Sequence, residues 1–299
     1  MIKWKFLFYF VLLFLSALFC TSCRLDDFLF NPNTVKISQY NLDNYGGPVD
    51  FVLDSTYKIN SSKIHIFTLN SKGNTIFAIY IGDINKIQTD TVIMYCHGNK
   101  DHMDFYWQRA KLLANVGGKN RFGVMMIDYR GYGLSSGKPS EEGLYEDVST
   151  ALQWLKNNGL TNDRLVIYGF SMGTAPATEL TANPRVMIPS KLILEAPFAS
   201  AQVMVQDAIK LAIPGKFVTD LKIDNAAEIK KVIIPFLWIH GTNDKFLSIK
   251  THGEVVFKNY GGSKKFAYRI KGADHSDVPV VMGFKYYCDV IEKFITNNL

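Results

Sequence analysis

A serine hydroxyl becomes a useful nucleophile at neutral pH only when a neighbouring base takes its proton and a third group orients that base. The stretch VIYGFSMGT, Val166–Thr174, offers such a serine. An apolar, β-favouring run leads straight into Gly169-Phe170-Ser171-Met172-Gly173, and a helical pattern follows it. The two glycines lack the Cβ atoms that would collide in a sharp strand-to-helix turn. Gly-x-Ser-x-Gly alone is a weak signal, because glycine and serine are ordinary loop residues; its weight depends on partners. Asp244, in FLWIHGTNDKF, stands just past the apolar run Ile233–His240. His275, in YRIKGADHSD, stands in the loop after the last such run. Ser171 as nucleophile, His275 as base and Asp244 as its orienting acid make a working set. An acyl-transfer intermediate also needs backbone donors for its oxyanion. The N–H of Met172, at a helix start, and that of Asn99, in CHGNKDH, are the expected pair.

Other residues compete for these roles less well. Glu195, at the end of the run Lys191–Glu195, is an alternative acid but reads better as a carboxylate holding a loop. Asp274 and Asp277 flank His275 too closely to reach its far ring nitrogen, so capping or surface roles fit them. His65, His97, His102, His240 and His252 have no equivalent placement. His97, Asp101, His102 and Asp104 cluster, but their spacing matches no familiar ligand pattern. No metal site and no cofactor are expected.

Loops at these positions presuppose elements that deliver them to one edge. Short apolar runs alternate with longer amphipathic ones from Lys63 onward, the pattern of an α/β domain on a mostly parallel sheet. Lys63–Leu69 and Thr75–Gly82 read as an antiparallel hairpin around NSKGN. Six further strands are expected at Thr91–Cys96, Phe122–Asp128, Arg164–Gly169, Lys191–Pro197, Ile233–Gly241 and Lys264–Ile270, eight in all. Helices are expected over Phe105–Val116, Glu141–Asn157, Met172–Ala182, Lys250–Asn259 and Val278–Thr296. Leu144, Val148, Ala151, Leu152 and Leu155 make a buried stripe on the second. The long interval after Phe198 breaks the rhythm, and residues 199–231 are expected to form a short lid above the carboxyl ends of the strands. One domain, residues 34–299, contains all of this.

The first residues are of another kind. MIKWKFLFYFVLLFLSALFCTSC has Lys3 and Lys5, then an uncharged apolar run from Phe6 to Phe19. That run is shorter than the roughly 20 residues of a membrane-spanning helix and fits the hydrophobic region of a secretory signal. Thr21 and Ser22 before Cys23 resemble the lipobox of bacterial lipoproteins, with Cys20 where leucine is more usual. That resemblance implies a signal peptide over residues 1–22, lipidation at Cys23, a tether over residues 23–33 and a membrane-anchored place in the cell envelope. Plain secretion and an uncleaved anchor are the alternatives. Cys96 and Cys288 remain, and Cys96 reads as a small buried hydrophobe rather than half of a disulfide. A hydrophobic fraction of 47% marks a folded chain, and a net charge of +6 without any dense basic run excludes a nucleic-acid partner.

The segments HGN, DYRGYGLSSGKPSEEGLYEDV, GFSMG, EAPF, HGTND and GADH together resemble the α/β-hydrolase family, most of all its serine-aminopeptidase-like and Bem46-like branch, from about Thr91 to the C-terminus. The chain order Ser171, Asp244, His275 is the order of that fold's triads. The resemblance implies a serine hydrolase that cleaves a small carboxylic ester or thioester through an acyl-enzyme. A serine peptidase for small peptides, or a silent surface-anchored binding protein, are the alternatives, since one scaffold serves many functions. Lys100, Asp101 and His102 are expected to make the pocket rim polar, and Pro176 to disturb the helix after the serine. Arg130-Gly131-Tyr132-Gly133 is expected to brace the pocket floor.

Overall fold

Eight strands meet in one sheet in the computed structural model, which describes residues 29–32, 37–45, 51–209 and 219–299. They are β1 (Ile64–Ser71), β2 (Asn74–Ile81), β3 (Val92–Cys96), β4 (Gly123–Ile127), β5 (Leu165–Phe170), β6 (Lys191–Glu195), β7 (Phe236–Gly241) and β8 (Lys265–Ile270). Their spatial order is β1-β2-β4-β3-β5-β6-β7-β8. β2 runs antiparallel to both neighbours, and every other pair is parallel. The β1–β2 hairpin is longer than its sequence indicates. Only Lys72 and Gly73 turn it, both at positive φ, as a two-residue type I′ turn requires.

Strands β3, β5, β6 and β7 are buried at every residue. Unbroken apolar strands need cover on both faces, and two separate cores supply it. The helices are α1 (Met103–Leu113), α2 (Glu141–Asn157), α3 (Thr174–Ala182), α4 (Ala201–Ile209), α5 (Asn225–Glu228), α6 (Gly253–Asn259), α7 (Val278–Met282) and α8 (Phe284–Ile295). One core takes in the expected α2 stripe with Ala175, Ala177 and Leu180 of α3 and Val256 of α6. The other is built by Trp107, Ala110 and Leu113 of α1 against Val290, Ile291 and Phe294 of α8. After β3 the chain steps to β4 on one side, and β5 lies on the other. The carboxyl ends of β3 and β5 therefore form the switch point of the sheet, where open α/β folds bind ligands.

Several expectations change. The single C-terminal helix is two, because Gly283 at φ +83° ends α7 and opens α8. Pro176 lies in the first turn of α3, where a backbone N–H has no helical partner to lose. Within the stretch expected as a tether, Leu29 and Phe30 are buried, and Asn31–Pro32 pair in parallel with Lys100–Asp101. Asp101 and His102 are both buried, His102 against the rings of Tyr40 and Tyr45, so only Lys100 is left for a polar rim. The segment after β6 is tied down at several points: Ala201 N–H bonds Ile223 O at 2.9 Å, and Lys222 N–H bonds a Glu141 oxygen at 2.7 Å. Cys96 and Cys288 are buried free thiols. The signal sequence, Cys23 and residues 210–218 of the expected lid lie outside the described residues. Among the described residues, no helix is long and apolar enough to cross a membrane.

Candidate active site

β5 ends at Phe170, and Ser171 begins a tight 3-10 turn, Ser171–Gly173, that runs directly into α3. Ser171 has φ +53°, a left-handed conformation uncommon outside glycine. The two flanking glycines make this turn sterically feasible. A Cβ on Gly169 would lie 2.6 Å from Gly173 O, and one on Gly173 would lie 2.0 Å from Cys96 O. The turn is thus pressed against the end of β3.

The other two residues arrive from the far side of the sheet. β7 delivers the loop containing Asp244, and β8 the loop containing His275. These loops are in contact: Asn243 N–H bonds Ala273 O at 2.9 Å, and a Cβ on Gly241 would lie 2.3 Å from that same oxygen. His275 Nδ1 lies 2.8 Å from Asp244 Oδ2, and His275 Nε2 lies 2.9 Å from Ser171 Oγ. Three residues spread over 104 positions of chain therefore form one hydrogen-bonded line. With Nδ1–H donating to the carboxylate, Nε2 accepts the Ser171 O–H, the orientation a general base needs.

Asp244 is itself held by a fourth residue, His240, which sequence reasoning passes over. Trp238 Nε1–H donates to His240 Nδ1 at 3.3 Å, which leaves the His240 proton on Nε2. That N–H faces Asp244 Oδ2 at 3.1 Å and Leu247 O at 3.0 Å. Asp244 Oδ1 accepts the backbone N–H groups of Phe246 (2.9 Å) and Leu247 (2.7 Å). Burial alone would raise this carboxyl, but the hydrogen bonds from His240 and His275, the charge of His275 and the Leu247 N–H outweigh it and hold the group well below the usual carboxylate range. The acid stays ionised. Nearby, buried His252 accepts Ala199 N–H at Nδ1 (3.1 Å), with Nε2 3.3 Å from Asp207 Oδ2. Burial lowers its imidazole to about 4, against the opposing charge of Asp207.

The remaining candidates fall into supporting places. Asp274 accepts the N–H groups of His275 (2.8 Å) and Lys245 (3.0 Å), and Asp277 accepts that of Asp274 (2.6 Å), so both shape the histidine loop. Glu195 is buried at the end of β6, with Arg109 Nη1 at 2.7 Å on one oxygen and Tyr287 Oη–H at 2.6 Å on the other. Asn99 follows β3 on a loop gripped from below. Tyr129 Oη–H donates to His97 O at 3.0 Å, and Lys100 N–H donates to Tyr106 Oη at 3.1 Å. Asp104 is spent on the Asn41 and Leu42 N–H groups, at 2.9 and 2.7 Å. Among the described residues, no group of three His, Cys, Asp or Glu side chains is placed to hold a metal ion. Arg130 chelates Asp147 on α2, fixing the Gly131-Tyr132-Gly133 turn.

His275 opens onto a shallow cavity of about 620 Å³ lined by Lys245, Phe246, Asp274, His275, Ser276 and Asp277. A somewhat larger groove, about 760 Å³, lies between the β1–β2 hairpin, α2 and Arg185. It carries none of the Ser/His/Asp line, and chemistry rather than size marks the site.

A mostly parallel eight-stranded sheet, helices on both faces and a nucleophile-type elbow after β5 are the α/β-hydrolase fold, and the chain has that fold. Residues 87–233 match the family described as Hydrolase_4, serine aminopeptidase, S33, a span that includes Asn99 and Ser171 and ends before Asp244. The alpha/beta hydrolase domain-containing protein 17B of Xenopus tropicalis is 29% identical over 234 residues, covering 78% of this chain and 75% of that protein. Among solved structures, an esterase of Pyrococcus furiosus superposes with a TM-score of 0.61 at 16% identity, covering 90% of this chain and 97% of that one. A cold-adapted esterase from an Arctic intertidal metagenomic library gives 0.56 at 20% identity, covering 79% and 98%.

Proposed function

We propose that the chain is a serine hydrolase that cleaves a carboxylic ester or thioester. The observation that carries this is the unbroken line from Ser171 Oγ through the His275 ring to Asp244, at 2.9 and 2.8 Å. Ser171 Oγ attacks the acyl carbon while His275 Nε2 takes its proton. The imidazolium so formed is stabilised by the ionised Asp244. The N–H groups of Met172 and Asn99 receive the oxyanion. As the tetrahedral adduct collapses, His275 gives the proton to the departing alcohol or thiol, leaving an acyl-Ser171 ester. Water, deprotonated by His275, then attacks that ester, and Ser171 leaves as the alcohol with the same proton. The shallow mouth of about 620 Å³ beside His275 suits short or medium acyl groups.

The described similarity to a serine aminopeptidase family favours a peptidase as the second reading. The short insertion after β6 supports the ester reading instead, because it is small for the accessory domain that restricts access in many such peptidases. A lipid at Cys23, with residues 1–22 removed, would keep the site at a cell-envelope membrane.

A fluorophosphonate probe tests the core of this reading. The folded protein is expected to be labelled, and Ser171→Ala is expected to remain unlabelled. Absence of Ser171-dependent labelling would overturn it in favour of a silent binding protein. p-Nitrophenyl esters of increasing chain length, assayed beside aminoacyl-anilides, then separate esterase from peptidase.

A further inference from the structure

Outside the Ser/His/Asp line, one buried cation touches both sides of it. Arg109, on α1, is almost wholly buried. Its Nη1 binds Glu195 at 2.7 Å, and Glu195 is fixed in turn by Tyr168 and Tyr287. Its Nη2 donates to the carbonyl of Ser276 at 3.1 Å, the residue directly after His275. The guanidinium also lies over the Phe170 ring, its Cζ 4.1 Å from the ring centre, and Phe170 directly precedes Ser171. Phe170 in turn packs against the His275 ring, with centroids 5.4 Å apart. Arg109 thus joins the residue before the serine to the residue after the histidine, and braces both on a carboxylate anchored in the sheet.

We infer that Arg109 is a positioning residue that sets the Ser171–His275 distance, acting through Phe170 and the Ser276 carbonyl. The inference rests on the hydrolase reading above. The planar fork suits this task. It holds two acceptors in fixed directions and stacks on an aromatic face, whereas an ammonium presents a point charge on a flexible stem. Ser276 sits on a loop, and without the second arm of the fork its carbonyl has no fixed donor on α1. Displacing a reacting pair by about 1 Å lowers turnover by about 100-fold.

Arg109→Lys keeps a cation beside Glu195 but cannot reach both acceptors and stack on Phe170. For p-nitrophenyl acetate, kcat is expected to fall roughly 10- to 100-fold with KM within about twofold, and fluorophosphonate labelling of Ser171 to slow in parallel. A folded Arg109→Lys protein with wild-type kcat would overturn the inference. A second variant covers loss of folding. Arg109→Met with Glu195→Gln removes the buried charges together, so no charge is left unpaired. If it melts near the wild type yet stays slow, positioning is supported; if its kcat returns with its stability, Arg109 only stabilises the fold and the inference fails. Wild-type hydrolysis that Ser171→Ala abolishes is the control. Its absence condemns the hydrolase reading, whereas its presence leaves the Arg109 variants to decide the positioning role.

Discussion

Replacing Asp244 by asparagine changes one oxygen into an amide nitrogen, and the surroundings of that atom dictate the result. The carboxylate accepts from four donors: His240 at 3.1 Å, His275 at 2.8 Å, Phe246 at 2.9 Å and Leu247 at 2.7 Å. Asparagine satisfies the two backbone N–H groups with its remaining oxygen, but its NH₂ then faces two ring N–H groups. His240 cannot switch tautomer, because Trp238 holds its Nδ1 as an acceptor. His275 can. It relieves the clash by moving its proton to Nε2, which then points N–H at Ser171 and can no longer take the serine proton. The expected loss in kcat is about 10⁴-fold with KM little changed, since binding and oxyanion donors survive. The fold loses charge-assisted hydrogen bonds, a destabilisation of about 3 kcal/mol at neutral pH. Because the folded carboxyl is held below its ordinary range, its contribution is complete above pH ~3.8 and is lost as pH falls further. The part of the gap between wild-type and Asn stability that comes from the carboxylate should therefore close as pH falls below about 4. Burst kinetics with p-nitrophenyl acetate and urea melts across that range test both halves. A folded Asp244→Asn protein keeping more than about a tenth of wild-type kcat would refute the assignment of Asp244 as the orienting acid.

Two further outcomes follow from local geometry. Ser171 at φ +53° stores strain that alanine keeps and glycine releases, so Ser171→Gly should be as inactive as Ser171→Ala yet more stable by about 1 kcal/mol in denaturant melts. Buried His252 is neutral when folded, with its imidazole lowered from the ordinary 6.5 to about 4. The unfolded chain then takes up the extra proton, so stability is full above about pH 6.5 and falls by up to about 3 kcal/mol as pH drops toward 4. His252→Asn should flatten that slope in urea melts; an unchanged slope would place the proton uptake elsewhere.

The Ser/His/Asp line was legible because each member occupies the loop after a recognisable apolar strand, and a parallel sheet brings all such loops to one edge. Ser171, Asp244 and His275 needed only chain order and strand pattern to be singled out. What escaped depends on side-chain packing across distant segments. His240 reads as a strand residue, and its bond to Asp244 becomes visible only once Trp238 is seen to fix its tautomer. Arg109 meets Glu195 across 86 positions and Ser276 across 167, pairings no local pattern encodes. Asp101 and His102 look like rim residues because the segments beside them, Asn31–Pro32 against Asp101 and Tyr40 and Tyr45 against His102, come from a region with no strand periodicity. The split between α7 and α8 turns on the single backbone angle of Gly283.

The parallel pairing of Asn31–Pro32 with Lys100–Asp101 also separates two meanings of a domain boundary. Counted from the end of the expected tether, the domain starts at residue 34. Counted by mechanical support, it starts no later than Leu29, because the first described residues splint the loop that carries Asn99. A chain trimmed to residue 34 would retain every residue of the Ser/His/Asp line while losing the ribbon beside the loop that carries Asn99. The first described residues and the loop that carries Asn99 are therefore neighbours in space, although 69 positions separate Asn31 from Lys100.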